Sequence, residues 1–353
     1  ANKNTVYAAG LADNAVLASI EQQRKEIFGE NYEKSTALTT GQKLDSGVYH
    51  LTQDLTSGTS DWETRVSINA GQKVYIDVNG HMLGGVGVTG ILLREGAEVY
   101  LFDSSNKDGI SGTGYVRGNA WYGGAFRYVE NNNTVNLMGC SIKNSSANSN
   151  KTTSGVGGKE STVFNLYAGT ISGNTDIMAA IFEQATVNVY GPVQLPNNGN
   201  KPISEKAVNV KGDLTGANIV LHEETINGYK ENGNDENKVR DIFHSADKTK
   251  VIVFENNSIV FKNLSEFVKV DIQSWIYGTE ASTPVVSGHP GNAEYTFKYT
   301  GVDGTSYDSA NAPTAGGKYK LTVTFKETAE YVSCTAETEF IVAQGNSIAE
   351  SIE

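Results

Sequence analysis

Cysteine is scarce in this chain, with two residues, Cys140 and Cys334, among 353. They fall in different predicted regions. That excludes a small fold stapled by disulfides and reads each as a small buried hydrophobe. Proline (6) and methionine (3) are also rare. Charged residues make up only 19%, and acids outnumber bases, giving a net charge of −12. Nucleic acid and anionic membrane surfaces are recognised through basic patches, so this balance argues against both as partners. No apolar run is long enough to span a bilayer, so no membrane insertion is expected. The opening Ala1-Asn2-Lys3-Asn4 lacks the apolar segment of a signal peptide, as expected of a mature or trimmed chain. The five histidines (His50, His81, His222, His244, His289) lack metal-ligand spacing. No metal or cofactor is expected. Neither a Gly-x-Ser-x-Gly elbow nor a phosphate-cradling loop is present.

What the chain has instead is Gly (38 residues) with much Asn, Ser and Thr, and more Tyr (17) than Phe (12). Gly and Asn tolerate the positive φ of tight corners, and Tyr suits a half-exposed sheet. The composition is that of an all-β protein with many turns.

One segment has helical spacing. Between Asp13 and Tyr32, Val16, Leu17, Ile20, Ile27 and Phe28 share a face, and Glu21, Gln22, Arg24 and Lys25 fill the rest. Asp13 or Asn14 can cap its start and Gly29 can end it. Such a helix is expected to close the open end of a stack of strands, where edges would otherwise be unpaired.

From about Leu44 short alternating runs break at Gly or Asn, and one element recurs. Val74-Tyr75-Ile76, Val99-Tyr100-Leu101, Val135-Asn136-Leu137, Phe164-Asn165-Leu166, Val187-Asn188-Val189 and Val208-Asn209-Val210 follow one another at steps of 25, 36, 29, 23 and 21 residues. Coils of three strands and three turns need roughly 20 residues or more each, and longer steps mean loops inserted at a corner. Flanking phrases repeat too: Gly169-Thr170-Ile171-Ser172-Gly173-Asn174 echoes Cys140-Ser141-Ile142-Lys143-Asn144. Uneven steps favour a solenoid over a propeller, and the missing crossover helices exclude an α/β fold.

The stretch Ser46-Gly47-Val48-Tyr49-His50-Leu51, then Val74 to Leu83, and the phrase from Asn165 to Asn174 are similar to right-handed parallel β-helix domains of the pectin-lyase-like superfamily, in particular those on surface proteins of gut Firmicutes. The resemblance spans about residues 38 to 222, with 223–267 read as outside the coil register. It implies fold more than function, because the superfamily includes lyases, hydrolases, adhesins and stalks. Lys250 to Phe254, Asn256-Asn257 and Ser258 to Phe261 read as a closing hairpin. Further on, Trp275-Ile276-Tyr277-Gly278, Tyr295 to Tyr299, Pro313 to Tyr319, Tyr331 and Phe340-Ile341-Val342 resemble a bacterial immunoglobulin-like module of the MBG type. The expected organisation is an N-terminal helical cap (1–37), a right-handed parallel β-helix with a closing hairpin (38–267), an immunoglobulin-like β-sandwich (268–343) and a tail (344–353).

In the six elements the first and third residues point inward. The outward columns are then Tyr75, Tyr100, Asn136, Asn165, Asn188, Asn209 and Asp77, Phe102, Met138, Tyr167, Tyr190, Lys211. Neither pairs carboxylates, which a glycosidase needs, and neither gathers acidic oxygens beside a basic residue, as a Ca²⁺-dependent lyase needs. The columns offer a stripe in which Tyr100, Phe102, Tyr167 and Tyr190 would stack on sugar rings while Asn136, Asn165 and Asn188 bond hydroxyls. The opposing reading is that a long loop, the N-terminal helix or another subunit covers the stripe and the asparagines ladder with one another. Arg94 and Arg127, with Trp121, mark a second candidate pocket at the middle coils. The segment Asp103 to Gly109 reads as a turn, since it breaks the spacing of a helix-flanked Ca²⁺ loop. The function expected is a non-catalytic extracellular surface or secreted protein, an adhesin or stalk with glycans or host matrix proteins as partners. The alternative is a polysaccharide lyase or glycoside hydrolase.

Overall fold

The computed structural model describes residues 14–55, 64–120, 124–128, 131–147, 156–157, 160–175 and 180–345. The chain divides into two compact units, Ala1–Ala246 with Ile252–Val260, and Asp247–Val251 with Phe261–Glu353.

The first unit is built on a nine-stranded parallel sheet. Its strands, in spatial and chain order, are Thr36–Ala37, Gly47–His50, Lys73–Asp77, Glu98–Phe102, Thr134–Met138, Val163–Ala168, Thr186–Val189, Val208–Val210 and Ile226–Asn227. Between successive strands of this long sheet the chain visits further parallel sheets, as with Met82–Val86 and then Thr89–Leu93 before Glu98–Phe102. The alternation dictates the core. Val74, Val99, Val135, Phe164, Val187 and Val208 are level with one another and buried, as are Ile76, Leu101, Leu137, Leu166, Val189 and Val210. The corner after Val163–Ala168 needs glycine: Gly169 has φ +110°, and a Cβ there would lie 2.2 Å from the Cys140 carbonyl oxygen.

The stack continues past residue 222. Ile226 pairs with Val208, and Phe243–Ser245 pairs with Asn218–Leu221. The parallel register was expected to end before this. Ile226-Asn227 repeats the Val208-Asn209 pattern over only two residues, too few to stand out in sequence. A buried asparagine ladder lies at a corner: Asn174 donates to the Ile142 carbonyl (2.9 Å), its backbone N–H donates to Asn198 Oδ1 (3.1 Å), and its Oδ1 accepts the Ser145 N–H (3.0 Å). Both carbonyl and amide of each asparagine are used, which permits full burial.

The helix α1 (Ala15–Phe28) is capped by Asn14, which accepts the N–H of Val16 and Leu17. It does not close the end of the stack. It lies across the outer face of the long sheet, with Asn14 Nδ2 bonded to the Thr215 carbonyl and Phe28 packed on Phe102. Its length of about 21 Å matches about four strand spacings of ~4.8 Å.

The second unit has a sheet ordered Trp275–Ile276, Cys334–Ala343, Gly317–Phe325, Tyr295–Val302, Asp308–Ser309, and a two-stranded sheet of Lys269–Asp271 with Val285–Ser287. Its core includes Tyr319, Leu321, Val323, Phe325, Phe340 and Val342, with Trp275 stacked on Phe340 at 4.9 Å. The hairpin Lys250–Glu255 and Ser258–Asn263 turns at Asn256 and Asn257, both with positive φ, as a two-residue turn demands. Both cysteines are free thiols. Among the described residues, no helix is long and apolar enough to cross a membrane.

Candidate functional site

The outer face of the long sheet carries most of the candidate residues, and α1 occupies part of it. Ile20 and Phe28 form one apolar cluster with Phe102, Met138 and Ala168. Phe102 is 1% exposed, with its ring edge-on to Phe28 at 5.4 Å, so it is closed to any ligand while α1 is docked. Met138 was expected level with Tyr167. A bulge instead sets Met138 level with Ala168, so Tyr167 stands outside that row.

The neighbouring column is a hydrogen-bonded ladder. Asn165 donates to Asn136 Oδ1 (2.8 Å), Asn188 to Asn165 (2.9 Å), Asn209 to Asn188 (3.2 Å) and Asn227 to Asn209 (3.5 Å). At its head Asn136 donates to Glu98 Oε1 at 3.3 Å, which also accepts the Tyr100 hydroxyl at 2.7 Å. Burial first, then Glu98, raises the Tyr100 pKa to about 12. Tyr75 and Tyr100 stack at 4.8 Å and Tyr167 and Tyr190 at 4.4 Å, the latter with rings only 12° from parallel. Rings stacked from coil to coil direct their faces along the stack and their edges outward. The faces that would meet a sugar are largely in use, and Lys73 Nζ sits 4.9 Å from the Tyr100 ring centroid.

A buried polar cluster under the end of α1 was not legible in the sequence. Arg24, expected on the solvent side, is 6% exposed; it bonds Glu21 (2.9 Å) and stands 3.7 Å from Asp77. Asp77 accepts the N–H of Asn79 (2.8 Å) and Ser104 (3.0 Å) and the Tyr32 hydroxyl (3.1 Å). Burial raises the Asp77 pKa against these stabilising bonds, and burial raises that of Tyr32 to about 12. Asp103 accepts from the N–H groups of Gly80, Ser105 and Gly114, so the segment after it is held as a turn. These carboxylates serve backbone turns. Their only sequence signal is an acid at a strand end before Asn or Ser.

Two clefts flank α1. One of about 210 Å³ is lined by Glu21, Arg24, Phe102, Asp103, Asn106 and Lys107. The other, of about 290 Å³, is lined by Val16, Ile20, Gln23, Met138, Tyr167 and Tyr190. Arg94 and Arg127 are not brought to this face. Arg94 follows the strand Thr89–Leu93, and Arg127 lies on the adjacent strand Phe126–Tyr128, level with Leu92, in a different sheet. Both arginines are half-buried and have partners. Trp121 lies outside the described residues. Among the described residues, no three His, Cys, Asp or Glu side chains gather as a metal ion would need. No protein-family model, no curated protein and no solved structure matches the chain.

Proposed function

We propose that the chain is a non-catalytic bacterial surface or secreted protein. In this reading a right-handed parallel β-helix forms a rigid adhesive stalk, and an immunoglobulin-like module of the MBG type follows it. The observation that carries the reading is the use made of the outward columns. Where a β-helix enzyme sets its reacting carboxylates, this chain has an asparagine ladder, stacked tyrosines and an overlying helix. Each of these devices stabilises neighbouring coils against one another. The acidic charge and the sequence resemblance of residues 268–343 support a surface location.

Contact with a glycan or matrix protein is assigned to the ladder beside α1, where Asn165, Asn188 and Tyr190 are half-exposed. Retention of the full chain on an array of host and dietary glycans and matrix proteins tests this. The expected result is retention that Asn188→Ala with Tyr190→Ala weakens. An array without retention would reduce the protein to a structural stalk.

A further inference from the structure

Both edges of the five-stranded sheet in the second unit are largely unpaired, and one of them is self-complementary. Tyr295–Val302 pairs along its whole length with Gly317–Phe325, but on its other side only Tyr299 and Thr300 are paired, with Ser309 and Asp308. The Gly301 N–H donates to the Tyr307 carbonyl at 2.8 Å, away from Gly317–Phe325. Odd-numbered residues of this strand therefore turn their backbone groups outward, among them Tyr295 and Phe297. Tyr295 is 47% exposed, Thr296 and Lys298 are exposed and Phe297 is half-buried. An edge of this kind is a template for another strand.

We propose that this edge pairs with the same edge of a second copy, antiparallel, about a two-fold axis at Thr296. The parity fits. Tyr295 falls opposite the second copy's Phe297, and both turn their N–H and C=O outward, so the two such pairs exchange four backbone hydrogen bonds. The side chains fit as well. Aromatic rings meet across the strands, threonine meets threonine, and Glu294 of each copy meets Lys298 of the other. Within one copy Glu294 bonds Lys326 (2.7 Å) and Lys298 bonds Asp308 (3.1 Å), so the dimer extends two existing ion pairs.

The opposite edge lacks this complementarity. Cys334–Ala343 pairs with Trp275–Ile276 only at Val342 and Ala343. The Tyr277 N–H donates to the Ala343 carbonyl and the Ile341 N–H to Ser274, so Thr335, Glu337 and Glu339 turn outward there. Two copies meeting on that edge about Glu337 would set like charges face to face.

Sedimentation velocity of the full chain, over about 10 µM to 1 mM as suits a small interface, tests the proposal. The expected result is a concentration-dependent dimer. Glu294→Lys or Lys298→Glu alone should weaken it at least about tenfold, and the two together should restore it. Tyr295→Pro removes an outward N–H and no inner hydrogen bond, together with the ring contacts to Phe297 and Phe325, and should abolish dimerisation, whereas Tyr295→Ala, which loses the same ring and keeps the N–H, should still dimerise, more weakly. The proposal is overturned by a monomer at every concentration, by a dimer indifferent to these substitutions, or by a charge-swapped variant that stays monomeric.

Discussion

Asn165 stands in the middle of the outer ladder, accepting from Asn188 and donating to Asn136. Asn165→Ala leaves an amide donor and a carbonyl acceptor without partners, and Asn136 is only 3% exposed. Urea unfolding should register a loss of about 1–3 kcal/mol. Asn227→Ala, at the solvent end of the ladder with a 3.5 Å bond, should cost much less. Equal, negligible effects would reduce the ladder to surface decoration. In the second unit, His289 Nδ1 accepts the N–H of Gly291 (3.1 Å) and Ala293 (3.3 Å), which fixes the proton on Nε2. Burial lowers the pKa of this histidine. The contribution to stability is full above the ordinary value of about 6.5. It is lost as pH falls towards the depressed folded value, because the unfolded chain takes up a proton that the folded ring refuses. The unfolding midpoint of this unit should fall between about pH 7 and about pH 5, and His289→Gln should flatten that dependence. A flat profile in the parent chain would contradict the assignment. The ladder column was readable in advance because strands have a period of two and one residue type recurs. The roles of Asp77 and Arg24 were not, since Asp77 accepts the distant Ser104 N–H and Arg24 reaches the distant Asp77 carboxylate; His289 bonds nearby N–H groups, but its burial comes from packing on the distant Phe325.

At the scale of the element, α1 shows how far local pattern reaches. Its span, its cap at Asn14 and its end at Gly29 follow from the sequence. Its position does not. An amphipathic stripe says that a face is buried, not against what. The outward aromatic column supplies that surface, with Phe28 (0% exposed) on Phe102 and Tyr32 stacked on His50 at 4.6 Å. Phe28→Ala removes the largest ring from this contact and should cost about 3–5 kcal/mol of docking. Because α1 rests on an already complete sheet, the loss should be local. Hydrogen exchange should accelerate in Ala15–Phe28 while Thr134–Met138 and Val163–Ala168 stay protected. Equal acceleration in those strands would mean that α1 is part of the fold's foundation. The bulge opposite Met138 likewise lay beyond sequence reading, because the extra residue is hidden in an unbroken alternation from Val163 to Ala168.

At the scale of the whole molecule, nine parallel strands form the long sheet and six of them were visible as a repeat. The other three, Thr36–Ala37, Gly47–His50 and Ile226–Asn227, are short or differ in sequence. A stack of this kind offers outward columns that can hold either chemistry or structure. In this chain the ladder, the tyrosine stacks and α1 fill most of them with contacts between coils, and Asn165, Asn188 and Tyr190 stay half-exposed. The proposal that the long face performs no cleavage is tested by incubating the full chain with pectin, alginate and glycosaminoglycans while unsaturated and reducing ends are followed. No ends above buffer are expected, with Arg94→Ala and Arg127→Ala changing nothing. Ends released by the parent chain and lost in either arginine variant would contradict it.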